Sequence, residues 1–193
     1  IANGLHALYL PILRECFNLK IYLDIDEGLR HYFKFKRDIK KRGHTVKKVL
    51  TSIEKREPDA ERFIRPQSAH ADLIFSLKPM DPKMIETPND NYPLRMKLAI
   101  KTRHGFNELS LHRVLVGVCG LHVDIIVSND GSEVQMTIEG DTSASDIALA
   151  AEMLCPRILE FLDIQPRWQD GMTGLMQVIT LSHISQSLTK RFI

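Results

Sequence analysis

Arg37 and Arg42 stand five positions apart in Arg37-Asp38-Ile39-Lys40-Lys41-Arg42-Gly43-His44, at the edge of a cationic segment that runs into a helix-stopping glycine. A guanidinium is planar, stays charged at any physiological pH, and offers paired N–H donors that match phosphate oxygens. Two of them, with Lys40 and Lys41, carry the charge needed to meet a triphosphate or a phosphorylated sugar. The same residues would serve as the solvated face of a charged helix, which is what most charge runs are.

The elements around this segment follow from periodicity. Leu8 to Phe17 reads as a loop and short helix, and Leu19 to Ile25 alternates as a strand ending in Asp24. Asp26 to Arg42 reads as one helix stopped by Gly43, with Leu29, Tyr32, Phe33 and Phe35 available to pack. A second helix is expected from Thr45 to Lys55, with Val46, Val49, Leu50 and Ile53 on one stripe and Pro58 ending it. A short segment from Asp59 to Phe63 leads to a buried strand over Ala71 to Leu77. Strands separated by helical spacers are the pattern of a parallel α/β sheet.

The texture changes over residues 79–93, where Pro79, Pro82, Pro88 and Pro93 are interspersed with Asn and Asp in the manner of a linker. Residues 1–78 and 94–193 are therefore expected to be separate domains. In the second, Leu94 to Lys101 alternates as a strand, and His122–Ser128 and Glu133–Glu139 form a hairpin across Asn129-Asp130-Gly131. Leu109 to Cys119 is readable as helix or strand. Ser143 and Asp146 make a capping box for a helix whose Ile147, Ala151, Leu154, Ile158 and Leu162 share a face. Gly171 to Arg191 repeats that pattern with Leu175, Ile179, Ile184 and Leu188. A small α+β domain results, an antiparallel sheet covered by two helices.

The chain has 193 residues, 44% hydrophobic, which is room for one domain or two small ones. Its net charge of +2 argues for neither a nucleic-acid coat nor a membrane surface, and the basic residues cluster between Arg30 and Arg56. Aromatic stacking residues are not expected to be interleaved on an exposed face of that cluster, so nucleic-acid binding is not expected. Cys16, Cys119 and Cys155 sit among apolar neighbours without CxxC spacing, which reads as buried thiols of a reducing, cytoplasmic compartment. No apolar run approaches the ~18 residues of a membrane span, and none reads as a signal peptide. The chain opens on Ile1-Ala2-Asn3-Gly4 in what reads as the end of a strand, as though entering the middle of a fold.

The sequence holds no GxxxxGK(S/T), GxGxxG, GxSxG or HExxH motif. His104, His112 and His122 are too irregularly spaced for a metal pair on a helix, and no metal site is expected. Asp24 and Asp26 could pair for acid–base work or magnesium, or simply supply the acidic first turn of a helix. Pro166 to Met172, with Trp168, reads as a recognition loop or as a packing anchor.

Taken in order, Gly4-Leu5-His6-Ala7-Leu8, Arg37-Asp38, Arg42-Gly43-His44, Arg65-Pro66-Gln67 and Ala71-Asp72 resemble the phosphoribulokinase and uridine kinase family over residues 3–77, bacterial phosphoribulokinase above all. The resemblance implies the downstream half of a P-loop kinase sheet with a helical lid that closes over ATP. Arg37 and Arg42 would be the catalytic arginines of that lid. Lys41, Arg56 and Arg65 would contact nucleotide or sugar phosphate, with Asp38 orienting the arginines and His6 in support.

The implied reaction passes the γ-phosphoryl group of ATP, with Mg2+, to ribulose 5-phosphate. A homo-oligomer is compatible with this. Asn3 stands where the family carries a glutamate suited to magnesium, and the family's phosphate loop lies upstream of the matching region. The alternative expectation is a non-catalytic regulatory or interaction module derived from such a kinase.

Overall fold

The alternating segment ahead of Asp26 forms β1 (Ile21–Ile25), which pairs in parallel with β2 (Leu73–Pro79), Ile21 opposite Leu73 through to Ile25 opposite Leu77. Hydrogen bonds just outside the strands close both ends of this pair. The Lys20 N–H donates to Asp72 Oδ2 at 2.8 Å while the Asp72 N–H donates to the Lys20 carbonyl at 2.8 Å. At the far end the Asp26 N–H donates to the Leu77 carbonyl at 2.9 Å. The computed structural model describes residues 1–86, 94–103, 107–160 and 162–191. Pro88, Pro93 and His104 lie outside the described residues.

Parallel strands need a long crossover, and here it is helical. α1 (Pro11–Glu15) precedes β1. After β1, Asp26 caps α2 (Glu27–Phe35), its Oδ1 accepting from the Leu29 N–H at 3.1 Å. The helix does not run to Arg42 as one α-helix: Lys36–Lys41 widens into a π-helical turn. Thr45 caps α3 (Val46–Asp59), which continues through a second π turn, Ala60–Ile64, and a 3-10 turn, Arg65–His70, into β2. α4 (Lys83–Glu86) follows β2.

Several expectations are corrected here. Pro58 does not end α3 but sits inside it, in the last turn, where only the bond its missing N–H would have given the Glu54 carbonyl is lost. No strand occupies residues 1–3, and residues 4–10 form turns. Of the apolar stripes, Leu29, Val49 and Ile53 are buried with Leu73 and Phe75, whereas Phe33, Val46 and Leu50 are exposed. Periodicity marks an apolar stripe, but its width is set by how much of the helix the neighbouring elements cover.

Contacts divide the chain into two units, residues 1–95 and 96–193. The second contains β3 (Met96–Thr102), α5 (Glu108–Gly117), β4 (His122–Val127) and β5 (Val134–Glu139). These are followed by α6 (Ala144–Leu154), α7 (Pro156–Glu160) and α8 (Gly171–Arg191). β5 lies between β3 and β4, antiparallel to both. Leu98, Ile100 and Thr102 of β3 register with Ile138, Met136 and Val134, and all six are buried on one face. α5, α6 and α8 supply Leu111, Leu115, Ile147, Ala151, Leu175 and Ile179 to the same core.

The ambiguous segment 109–119 is thus a helix, the third covering element. The hairpin turn is as its sequence requires, with Gly131 at φ +69 and its N–H bonded to the Ser128 carbonyl at 2.8 Å. The capping box at Ser143 and Asp146 is present. The long face from Ile147 to Leu162 is not, because α6 stops at Cys155 before Pro156 and Leu162 is exposed. On α8, Ile184 and Leu188 are exposed, and the buried face is Leu175, Val178, Ile179, Ser182 and His183. Trp168 is half-buried in a loop held by its backbone, where the Gln169 N–H donates to Gln177 Oε1 at 3.0 Å and Gln177 Nε2 donates to the Arg167 carbonyl at 3.2 Å. Cys119 and Cys155 are buried, but Cys16, at the end of α1, is exposed.

Candidate functional site

The site begins with a backbone device. The π turn Lys36–Lys41 ends where Gly43 takes a left-handed conformation, φ +65, that a side chain would resist. Its N–H bonds the Ile39 carbonyl at 3.1 Å, and the His44 N–H reaches back to the Asp38 carbonyl at 3.0 Å. This closure brings Arg37, Asp38 and Arg42 onto one side of the turn.

Asp38 is 5% exposed, and its carboxylate is enclosed by the two arginines. Oδ1 accepts from Arg37 Nε at 2.8 Å and from Arg42 Nη1 at 3.1 Å, and Oδ2 accepts from Arg37 Nη2 at 3.3 Å. The hydrogen bond from Arg37 holds the Asp38 carboxyl below the usual carboxylate range, and the same bond raises the Arg37 guanidinium above its ordinary value. Both arginines remain more than half exposed, 52% and 55%. One buried anion thus orients two cations whose outer surfaces face solvent, an arrangement suited to an incoming phosphate.

The other expected residues are placed differently. Lys41 is exposed on the same turn. Arg56 lies one face around α3, in an open groove with Thr45, Lys48, Ser52, Lys55 and Asp59. Lys34 donates to Ser52 Oγ at 3.2 Å on that side, and burial followed by the charge of Arg56 lowers its ammonium. His6 is exposed in the opening turns, its ring edge-on to Tyr9 at 6.1 Å. Arg65 does not join Arg37 and Arg42. It pairs with Glu57 and with Glu27 Oε2 at 3.2 Å, and Glu61 lies at 3.6 Å.

That pairing is part of a cluster the sequence did not announce. Arg30 also binds both Glu27 and Glu57, reaching Glu57 Oε2 at 2.7 Å, so two acids and two guanidiniums tie α2, α3 and the 3-10 turn together. Glu57 is held below its ordinary range by its hydrogen bond from Arg65. Burial raises Glu27, but the hydrogen bond and charge of Arg30 outweigh it and the net shift is downward. The acids sit 30 positions apart in the chain, a spacing without a sequence signature.

Gln67 was also missed as a functional residue, although the Pro66-Gln67 element was visible. It is 4% exposed and crosses to the opening turns, accepting from the Leu8 N–H at 2.9 Å and donating to the Leu5 carbonyl at 2.8 Å.

Magnesium does not fit the carboxylates around this site among the described residues. Asp38, Glu27 and Glu57 are bound to arginines, and Asp24 accepts from Ser76 Oγ at 3.2 Å. Asp26 is a helix cap, and Asn3 has no charge to offer. Among the described residues no group of three or more His, Cys, Asp or Glu gathers to hold a metal ion, and no helix is long and apolar enough to cross a membrane.

Comparison with known proteins agrees with the ordered motifs. Residues 1–82 match the Phosphoribulokinase / Uridine kinase family. A chloroplastic phosphoribulokinase of Triticum aestivum is 37% identical over 101 residues, 52% of this chain and 24% of that protein. The phosphoribulokinase of Synechocystis sp. is also 37% identical over 101 residues, 52% of this chain and 30% of that protein. A uridine kinase of Staphylococcus epidermidis is 39% identical over 76 residues, 39% of this chain and 37% of its own length. The chain therefore spans between 24% and 37% of the length of these relatives. Arg37, Asp38, Arg42, Arg56 and Arg65 all lie within residues 1–82, the stretch that matches the Phosphoribulokinase / Uridine kinase family.

Proposed function

We propose that this chain supplies the lid of an ATP-dependent kinase that transfers the γ-phosphoryl group of ATP to a sugar-phosphate hydroxyl, ribulose 5-phosphate giving ribulose 1,5-bisphosphate. The observation that carries this reading is the Arg37–Asp38–Arg42 cluster, one buried carboxylate holding two half-exposed guanidiniums inside the family's matched stretch. Phosphoryl transfer asks the protein chiefly for positioning and for cations that meet the charge on the equatorial oxygens. A pair of guanidiniums held before the substrate arrives pays little reorganisation when that charge develops.

In this reading Arg37 and Arg42 meet the transferring group, Asp38 sets their geometry, and Lys41 and Arg56 are further phosphate contacts. Arg65, engaged by Glu57 and Glu27, holds the base of the lid. ATP with Mg2+ is the phosphoryl donor. The 193 residues by themselves do not turn over ATP, because no GxxxxGK(S/T) loop is among them. All three cysteines are free, which fits a reducing compartment such as the cytoplasm.

The test takes the protein purified from its own cells through a tag at its C-terminus, incubated with γ-phosphate-labelled ATP and ribulose 5-phosphate, uridine or no acceptor. Label in ribulose 1,5-bisphosphate supports the proposal. Label in uridine monophosphate keeps the kinase and replaces the acceptor. No transfer to either removes the kinase reading and leaves an interaction module built on the same fold.

A further inference from the structure

The buried amide of Gln67 does something for which neither the arginine cluster nor the fold has a use. Its two ends hold three backbone groups: Oε1 accepts from the Leu8 N–H at 2.9 Å, and Nε2 donates to the Leu5 carbonyl at 2.8 Å and to the Phe63 carbonyl at 2.6 Å. Leu5 and Leu8 flank His6 in the opening turns, where Leu8 is buried at 6% exposure but Leu5 is 74% exposed and α1 beyond them buries no side chain. The ring of Tyr9 stands edge-on to Phe63 at 5.6 Å and makes a second tie between the same two segments. Apart from Leu8, such exposed turns depend on side chains that hold their backbone polar groups to keep a single conformation.

The segment that supplies these ties is itself anchored to the lid. Phe63 lies in the π turn after α3, and Gln67 and Arg65 share the 3-10 turn Arg65–His70. Arg65 binds Glu57 of α3 and Glu27 of α2. Two residues apart, one side chain grips the helices on either side of the segment that carries Arg37 and Arg42, and the other grips the turns that carry His6.

We propose that Gln67 is a positioning residue: it fixes the Leu5–Leu8 turn, and hence His6, relative to the Arg65 anchor of the lid helices. Whether that turn then contacts a sugar phosphate rests on the kinase reading above; its dependence on Gln67 does not. Each amide end contributes a distinct part. The oxygen secures Leu8, and the nitrogen bridges the Leu5 and Phe63 carbonyls, a pairing that only a donor can make.

The experiment is hydrogen exchange and side-chain NMR on the 193-residue chain, comparing wild type with Gln67→Met and Gln67→Glu. Gln67→Met keeps the length and apolar bulk of the side chain and removes its polar atoms. Exchange at the Leu8 amide should quicken at least tenfold and the His6 ring resonances should move, with Leu73 and Phe75 of β2 as protected as in wild type. Gln67→Glu keeps an acceptor for Leu8 but places a carboxyl between two carbonyls. Protonated, it donates to one of them and the turn holds; ionised, it repels both, so Leu8 protection and the native His6 resonances should be lost as pH rises through its titration.

Unchanged Leu8 exchange and His6 resonances in Gln67→Met overturn the proposal. So does a Gln67→Glu protein whose loop is indifferent to pH, or one in which β2 loosens in step with Leu8, since Gln67 would then serve overall stability alone. Ribulose 5-phosphate added to the wild-type chain gives a separate reading: if it moves no His6 resonance, the sugar-phosphate assignment of the turn falls while the role of Gln67 stands on the exchange data.

Discussion

Arg37 and Arg42 donate to the same atom, Asp38 Oδ1, at 2.8 and 3.1 Å. Two like charges are thereby held close by one buried anion between them, and neither can be repositioned without disturbing the other. The wide π turn makes this possible, because it alters the angular step between positions 37 and 42 just ahead of Gly43.

Substitution should separate the two kinds of arginine. Arg42→Ala in the active protein is expected to cut kcat about a hundredfold or more, the scale of losing a preorganised charged donor, with the thermal midpoint close to wild type because the side chain is more than half exposed. Arg65→Ala should do the reverse and lower the midpoint while changing kcat far less, since its bonds go to Glu57 and Glu27. Steady-state kinetics and calorimetry on both variants check this. Equal losses of kcat would merge the two groups of residues.

Acid should loosen the lid in a definable window. Asp38 and Glu57 are held below their ordinary values of 3.8 and 4.5 by hydrogen bonds from Arg37 and Arg65. A carboxylate whose folded pKa is depressed stabilises the fold fully above its unfolded value, and that stabilisation is lost as pH falls through the folded one. Thermal midpoints should therefore decline below about pH 4.5, and Glu57→Gln should flatten that decline while lowering the neutral-pH midpoint. A Glu57→Gln profile parallel to wild type would show that Glu57 carries none of the effect.

Among the described glycines, Gly174 leaves the least room for a side chain. A Cβ built there would lie 1.9 Å from the Gln169 carbonyl oxygen and 3.0 Å from Ile147 Cγ1. Alanine gains about 1 kcal/mol over glycine in a helix interior, whereas overpacking against backbone costs about 1–3 kcal/mol and more when the neighbour cannot yield. Gly174→Ala should destabilise the second unit and lower its midpoint by several degrees. A midpoint at or above wild type would mean that the loop before α8 moves aside freely.

The cysteines should differ sharply in reactivity. Burial raises the Cys119 thiol and pushes Cys155 up to about 11, while Cys16 is exposed. The thiolate is the reacting form, so brief iodoacetamide treatment near pH 8 should add one adduct, at Cys16, and three only after unfolding. Intact mass and peptide mapping check the count. Rapid modification of Cys155 in the native chain would contradict its burial.

Local features of this protein were determined by sequence alone. The strands around Leu23 and Phe75, the caps at Thr45 and Ser143, the turn at Gly131 and the stop at Gly43 each depend on residues within a few positions of one another, where steric and hydrogen-bonding preferences act directly. The ordered motifs from Gly4 to Asp72 were legible for the same reason, and they carried the resemblance that the family match over residues 1–82 supports. What only the tertiary structure decided lies between segments. The π turn that gathers Arg37 and Arg42 on Asp38, the pairing of Arg65 with Glu27 and Glu57, and the grip of Gln67 on Leu5 and Leu8 join residues up to 62 positions apart. The breadth of each buried face, narrower than periodicity implied at Phe33, Leu50, Ile184 and Leu188, was settled by neighbouring elements, because burial is a property of what packs against a helix and not of the helix itself.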